Sequence, residues 1–183
     1  MLSENETNMF FSMLQINNNK VYLGYTRFMI SEISLLTDLQ QEIEAVVGSD
    51  GTSALFYHAT TEATKQAAEE DDFAALFTGM SLKQRIEFVL KITQFHGWGI
   101  FEIAEFSEEP FRCVIVNKQT YVRDVYGGKA DGPRCYYSLG FKDVIEAFAK
   151  MGNAELKLQV TETKCRAQGD SHCEWVVEPE SPD

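Results

Sequence analysis

Residues 155–177 read ELKLQVTETKCRAQGDSHCEWVV, and residues 133–140 read PRCYYSLG. Two stretches of alternating polarity, Glu155 to Thr163 and His172 to Val177, flank a segment with Gly169-Asp170, where the chain can reverse. That is the pattern of a β-hairpin. Because successive strand side chains point to opposite faces, Leu156, Leu158 and Val160 share one side and Lys157, Gln159 and Thr161 the other. Glu162 falls on the apolar side. In the return strand Cys173 goes with Trp175 and Val177, and His172 goes with Glu174. An inward carboxylate is costly unless it is paired or bound to a metal. Cys165 follows three residues after Glu162, where the strand enters the turn, and Cys135 stands ahead of a helix. Three thiols and a carboxylate form the donor set of a tetrahedral Zn²⁺ site. Other readings fit the same spacing: a Cys165–Cys173 disulfide, plain buried thiols, or His172 in place of Glu162, although strand parity turns His172 to solvent. Four protein ligands would close the first shell, so a bound Zn²⁺ would stabilise the fold and would leave no position for an activated water.

Working back from this hairpin, residues 136 to 150 predict a helix with Tyr137, Phe141, Val144, Ile145 and Phe148 on its apolar stripe, stopped by Gly152-Asn153. Lys118 to Arg134 reads as a long loop, either a mobile lid or a segment ordered by its contacts. Ile100 to Phe106 and Phe111 to Asn117 form a second hairpin turned at Ser107 to Pro110, with Cys113 as a core thiol. The helix before it starts at Ser81, where Gln84 completes a capping box, carries Leu82, Ile86, Val89, Leu90 and Thr93 on one face, and ends at Gly97.

Earlier still, Thr52 to Glu69 predicts a helix with Leu55, Phe56, Ala59 and Ala63 inward. Residues 31 to 47 predict another, with Ile33, Leu36, Leu39, Ile43 and Val46 on its stripe and Gly48 as its stop. The apolar runs Phe10 to Ile16 and Val21 to Phe28, around Asn17-Asn18-Asn19, suggest an N-terminal hairpin. The Glu69-Glu70-Asp71-Asp72 run reads as a solvated loop between helices. Helices gather in the first half and strands in the second, the pattern of an α+β fold with helices packed on a mostly antiparallel sheet. One domain over 1–178 with an acidic tail at 179–183 is the expected organisation.

The 183 residues are 44% hydrophobic and 12% aromatic, enough to bury a real core. The net charge of −12 argues against nucleic acid and anionic membranes, which need a basic footprint. The N-terminal MLSENETNMF has no signal-peptide pattern and no run reaches the length of a membrane span, so a cytoplasmic location is expected. There, four cysteines serve more naturally as ligands or thiols than as disulfides.

Cys135-x4-Gly140 ahead of a helix, Glu162-x2-Cys165, and Gly169-Asp170-x2-Cys173-x-Trp175 resemble the 4-vinyl reductase domain family, also called hydrocarbon-binding proteins. The agreement covers about 130 to 177, and Gly97-Trp98-Gly99 before a hairpin also suits the family. The family is similar to sensory domains of phenol-responsive transcription activators and to vesicle-tethering subunits. The resemblance implies a Zn²⁺ site at Cys135, Glu162, Cys165 and Cys173, beside a buried pocket for a small hydrophobic or aromatic ligand. It also implies a homodimer formed through the helical part. Phe56, His58, Trp98, Tyr136 and Leu139 are the candidate pocket residues, each with simple core packing as the competing reading.

Unlike the activators, the chain is expected to lack ATPase and DNA-binding segments, so a signal would pass through a partner or a dimer change. A small-molecule sensor or carrier is therefore the leading expectation. One alternative is an enzyme or accessory factor in tetrapyrrole vinyl reduction, as in bacteriochlorophyll synthesis. It is less favoured because no GxGxxG after a strand, no P-loop, and no convincing Ser-His-Asp or Cys-His set is seen. The other alternative is a protein-interaction subunit without a ligand.

Overall fold

The computed structural model describes residues 3–23, 26–28, 32–68, 75–136 and 140–181. The Glu69–Asp72 run, Tyr137 and Leu139 lie outside these residues, as does the side chain of Ala63. The principal sheet has the strands β4 (Phe101–Glu108), β5 (Phe111–Asn117), β6 (Leu158–Lys164) and β7 (Cys173–Pro179), in the order β4-β5-β7-β6, antiparallel throughout. Both hairpins expected from the sequence are present in it. The sheet is completed by pairing β5 with β7, with Ile115 opposite Trp175 and Cys113 opposite Val177.

Helices α3 (Leu82–Phe95) and α5 (Phe141–Met151) pack against each other and against β4 and β6, respectively. Ile86, Leu90, Ile145 and Phe148 from these helices meet Phe101, Ile115, Leu158 and Trp175 from the sheet in one buried cluster. The fold is α+β. The α3 capping box forms as expected: Gln84 Oε1 accepts from the Ser81 amide at 2.8 Å, and Ser81 Oγ accepts from the Gln84 amide at 3.3 Å. Helix α5 starts at Phe141, five residues later than the expected 136.

The N-terminal reading needs correction. Residues 4–13 form helix α1 (Glu4–Met13), where the apolar run from Phe10 suggests a strand. Ser3 and Glu6 make a capping box, with Glu6 Oε2 accepting from the Ser3 amide at 2.8 Å, and that start signal decides the conformation. Phe10 is fully buried against Phe95 and Phe88 of α3, with ring centroids 5.0 and 6.4 Å away. The expected hairpin survives in shortened form as β1 (Leu14–Asn17) and β2 (Lys20–Leu23), with Asn18 and Asn19 at φ 49° and 59° between them. Two left-handed residues suit the twist of a two-residue turn, and asparagine tolerates that conformation. β3 (Thr26–Phe28) pairs with β2 to complete a small second sheet.

Both expected central helices are present as the two halves of α2 (Ile33–Ala68), which meet at a non-helical break at Gly48, the expected stop, with φ 74° and ψ 173°. That conformation is open essentially to glycine alone. Thr52 Oγ1 donates to the Gly48 carbonyl at 2.7 Å across the break. The inward face of α2 also differs from expectation. Ile33, Leu39, Val46 and Leu55 are exposed, while Thr37, Gln40 and Thr52 are buried. Leu36, Ile43 and Phe56 of the expected stripes are half-buried, so the expected face is only partly inward, and polar groups share the seam between α2 and the rest of the chain.

The segment Lys118 to Arg134 is ordered by contacts. It contains the short helix α4 (Val122–Tyr126), and the Ala130 amide donates to the Ala167 carbonyl at 2.8 Å. No described helix is long and apolar enough to cross a membrane.

Candidate metal centre

Glu162 lies opposite Trp175 in the β6–β7 register. An irregularity between Glu162 and Lys164 inserts one extra residue before the strand ends. The chain then enters a 3-10 turn, Arg166–Gln168, with Cys165 at its N-cap and Gly169 closing it at φ 107°. A side chain at 169 would be strained there, and its Cβ would also stand 3.1 Å from the Gly128 carbonyl oxygen. Asp170 Oδ2 accepts from the Cys165 amide at 2.8 Å, which fixes the direction of that cysteine. Cys173 opens β7 and its sulfur accepts from the Arg166 amide at 3.3 Å. Cys135 enters from the 118–136 segment.

The four ligand atoms of Cys135, Glu162, Cys165 and Cys173 lie within 4.8 Å of one another. A tetrahedral ion with bonds of about 2.0–2.3 Å separates its ligand atoms by roughly 3.3–3.8 Å, so only small side-chain adjustments stand between this cluster and a coordination shell. The Cys135 and Cys173 sulfurs are 3.2 Å apart, far beyond disulfide bond length, and all four cysteines of the chain are free thiols. The disulfide reading of Cys165 and Cys173 is thus not realised. His172 pairs with Glu174 at 3.5 Å and takes no part in the cluster, as strand parity implies.

The electrostatics agree with a site built for a cation. Burial, then the neighbouring Cys165 sulfur, raises the Glu162 carboxyl well above the usual carboxylate range. Hydrogen bonds from the Cys135 and Cys173 thiols lower the Cys165 thiol. Burial and mutual proximity thus disfavour the charged forms of Glu162, Cys135 and Cys173, and a divalent ion among them would favour those forms by displacing protons. Glu162 Oε1 is buried with no hydrogen-bond partner, and so is the Trp175 indole nitrogen. A bound ion would satisfy the orphaned carboxylate oxygen, so the residues fit a soft-to-borderline divalent metal.

Around Cys135 lies a polar network that the sequence did not disclose. The Tyr121 hydroxyl donates to Gln40 Oε1 at 2.9 Å; Gln40 Nε2 donates to the Tyr126 hydroxyl at 2.9 Å and to the Arg134 carbonyl at 3.1 Å. Tyr126 donates onward to Glu44 at 3.0 Å, and the Arg134 guanidinium pairs with Glu44 at 2.7 Å and Asp131 at 2.6 Å. Arg134 is only about 8% exposed, so its charge depends on these partners. A glutamine on a helix has no short-range signature that announces such a role.

The Phe56 ring lies tilted by 38° against Tyr136 at 5.7 Å, and Trp98 meets Tyr121 edge-on at 5.7 Å. His58 is exposed, and Leu139 lies outside the described residues. A cleft of about 620 Å³ lies against His96, Thr120, Tyr121, Asp124 and Arg166, and Phe56, His58, Trp98 and Tyr136 are not among the described residues that line it.

No protein-family model and no curated protein matches the chain. Among solved structures, the phenol-responsive sensory domain of the transcription activator PoxR, determined with phenol, matches with a TM-score of 0.78 at 17% identity, covering 97% of this chain and 92% of that one. The chain has the fold of the PoxR sensory domain. A trafficking protein particle complex subunit 3 from Naegleria fowleri, covalently bound to palmitic acid, matches with a TM-score of 0.47 at 18% identity, covering 82% of this chain and 98% of that one. The likeness to PoxR agrees with the sensory relatives that the cysteine and glutamate spacing implies. At this identity it speaks for the fold alone.

Proposed function

We propose that the protein is a Zn²⁺-stabilised sensory or carrier domain that binds a small hydrophobic or aromatic molecule and works as a homodimer. The observation that carries the reading is the gathering of three buried thiols and one half-buried carboxylate, with ligand atoms within 4.8 Å of one another. Such a donor set favours Zn²⁺, and four protein ligands leave no open coordination position, so the ion clasps the β6–β7 ribbon to the segment leading into α5. When bound it supplies stability; the chain's own residues supply recognition. The fold shared with a domain crystallised with phenol supports a small aromatic ligand. The rings of Phe56, Tyr136 and Trp98 are the proposed apolar contacts.

The second copy is the proposed cover for α2. Leu35, Leu39 and Val46 are exposed along one stripe of its first half, and burial of that apolar ridge against a second copy would favour association against the repulsion of two acidic chains.

The test is to purify the full chain, measure metal by elemental analysis, and extract bound molecules for mass spectrometry. One equivalent of zinc per chain and one discrete hydrophobic compound are expected. A metal-free protein with an intact cooperative melt would overturn the zinc reading. Metal without any extractable or added aromatic ligand would overturn the sensory one.

A further inference from the structure

Gln40 is almost fully buried in the middle of the first half of α2, and both its amide N–H donors and one lone pair of Oε1 are used. Its orientation is fixed by chemistry: the Arg134 carbonyl can only accept, so the amide nitrogen must face it, and Oε1 must face the Tyr121 hydroxyl. Arg134 is joined by that same carbonyl to Cys135. One side chain of α2 is thus bonded directly to the peptide that presents a metal ligand. It also holds Tyr121, whose ring abuts Trp98. Leu35, Leu39 and Val46 of the same helix half are exposed, on a stripe roughly a third of a turn round from Gln40.

We propose that Gln40 is a positioning residue that couples the Cys₃Glu centre to the seating of α2. With the centre filled, Cys135 and the Arg134 carbonyl are fixed and α2 is held on the body; with the centre empty, the carbonyl shifts and α2 loosens. Coupling between two equilibria is reciprocal, so loss of the Gln40 bonds must also weaken metal retention. Partners just outside a metal's ligand shell orient the ligands, and their loss lowers affinity by about 10–100-fold. The proposal rests on the metal reading above and adds to it a route from the metal to the helix that would meet a partner.

The experiment compares the full-length wild type with Gln40→Met, which keeps the volume but removes the three bonds. Each is taken metal-loaded and chelator-stripped. Amide hydrogen exchange over residues 33–47 and the rate of metal release to chelator are measured. In the wild type, stripping is expected to speed exchange in this segment by about tenfold, and Gln40→Met should exchange quickly in both states and release metal about tenfold faster. Equal exchange in the loaded and stripped wild type overturns the coupling, as does a metal-dependent difference that Gln40→Met leaves at its wild-type size. Absence of stoichiometric metal from the wild type overturns the metal reading and the coupling with it, and elemental analysis identifies that case directly. If Gln40→Met melts without cooperativity, Tyr121→Phe removes one bond and little packing. It must narrow the metal-dependent difference, and a difference equal to wild type overturns the proposal.

Discussion

Each of the three cluster cysteines is held by a different device, and this decides how substitutions should behave. Cys165 is aimed by Asp170 and the 3-10 turn, Cys173 by the Arg166 amide, and Cys135 through the Arg134 peptide. Cys165→Ser or Cys173→Ser removes a soft ligand from a closed shell and is expected to abolish stoichiometric zinc. Loss of a structural metal belongs to the few mechanisms that exceed about 4 kcal/mol, so Tm should fall by roughly 10 °C or more. Cys113 is the internal control. It is fully buried on β5, and burial pushes its thiol up to about 12, so it resists alkylation in the folded protein whether or not metal is present. Cys113→Ala should keep full metal content. Thiol labelling followed by mass spectrometry checks both statements: chelator should expose Cys135, Cys165 and Cys173 to reagent and leave Cys113 protected.

At the scale of elements, two local features can be tested separately. Gly48 breaks α2 at φ 74°, and a Cβ there would meet nothing within 4 Å. Gly48→Ala therefore introduces backbone strain without a clash. It should cost about 1–3 kcal/mol, visible as a Tm lower by roughly 3–10 °C. Helix α1 is tied down by Glu6, whose carboxyl is lowered to about 2, first by its hydrogen bond with Lys91 and then by the Ser3 backbone. A carboxylate whose folded pKa is depressed contributes stability above its ordinary value, and that stability is lost as pH falls through the depressed one. Docking of α1 should thus weaken between about pH 4.5 and 2. Solvent and salt screen this exposed pair, so the effect is local. Amide protection factors over residues 4–13 should fall with acid in the wild type and much less in Lys91→Met.

The same elements show what the sequence could and could not reveal. The second half was readable because its signals are local: alternation set the hairpins, Ser81 and Gln84 set α3, and parity placed Glu162 and Cys173 on one side. The extra residue after Glu162 lies beyond the last paired position that the parity argument needed. The N-terminal helix was missed because two aromatic residues in its last turn outweighed the Ser3–Glu6 cap. The inward face of α2 departs in part from its apolar stripe, Leu36 and Ile43 being half-buried and Leu39 and Val46 exposed, because amphipathic reasoning assumes that a helix buries its whole apolar side within its own chain. Gln40, Tyr121 and Arg134 meet across more than eighty positions of sequence, and no spacing rule reaches that far.

For the whole molecule, the unusual feature is the kinked element α2, which buries Thr37, Gln40 and Thr52 and leaves several large apolar side chains exposed. Leu39 is 53% and Val46 81% exposed, on a chain whose net charge is −12. Charge repulsion between copies opposes association, so a dimer would have to draw its stability from this ridge. Replacing Leu39 and Val46 together with glutamate would bury unpaired carboxylates in that contact. A buried unpaired charge costs about 3–5 kcal/mol, which raises a dimer dissociation constant by more than roughly a hundredfold. Neither side chain supports the monomer's own core, so the monomer's fold and metal content should be unchanged. Light scattering on the wild type is expected to give twice the 20.7 kDa chain mass, and on Leu39→Glu/Val46→Glu the single-chain mass. If both proteins show the dimer mass with equal dissociation constants, α2 is not the contact. If the wild type is a monomer at every concentration, the ridge must serve a different protein, and the signal from the metal centre would leave through that contact.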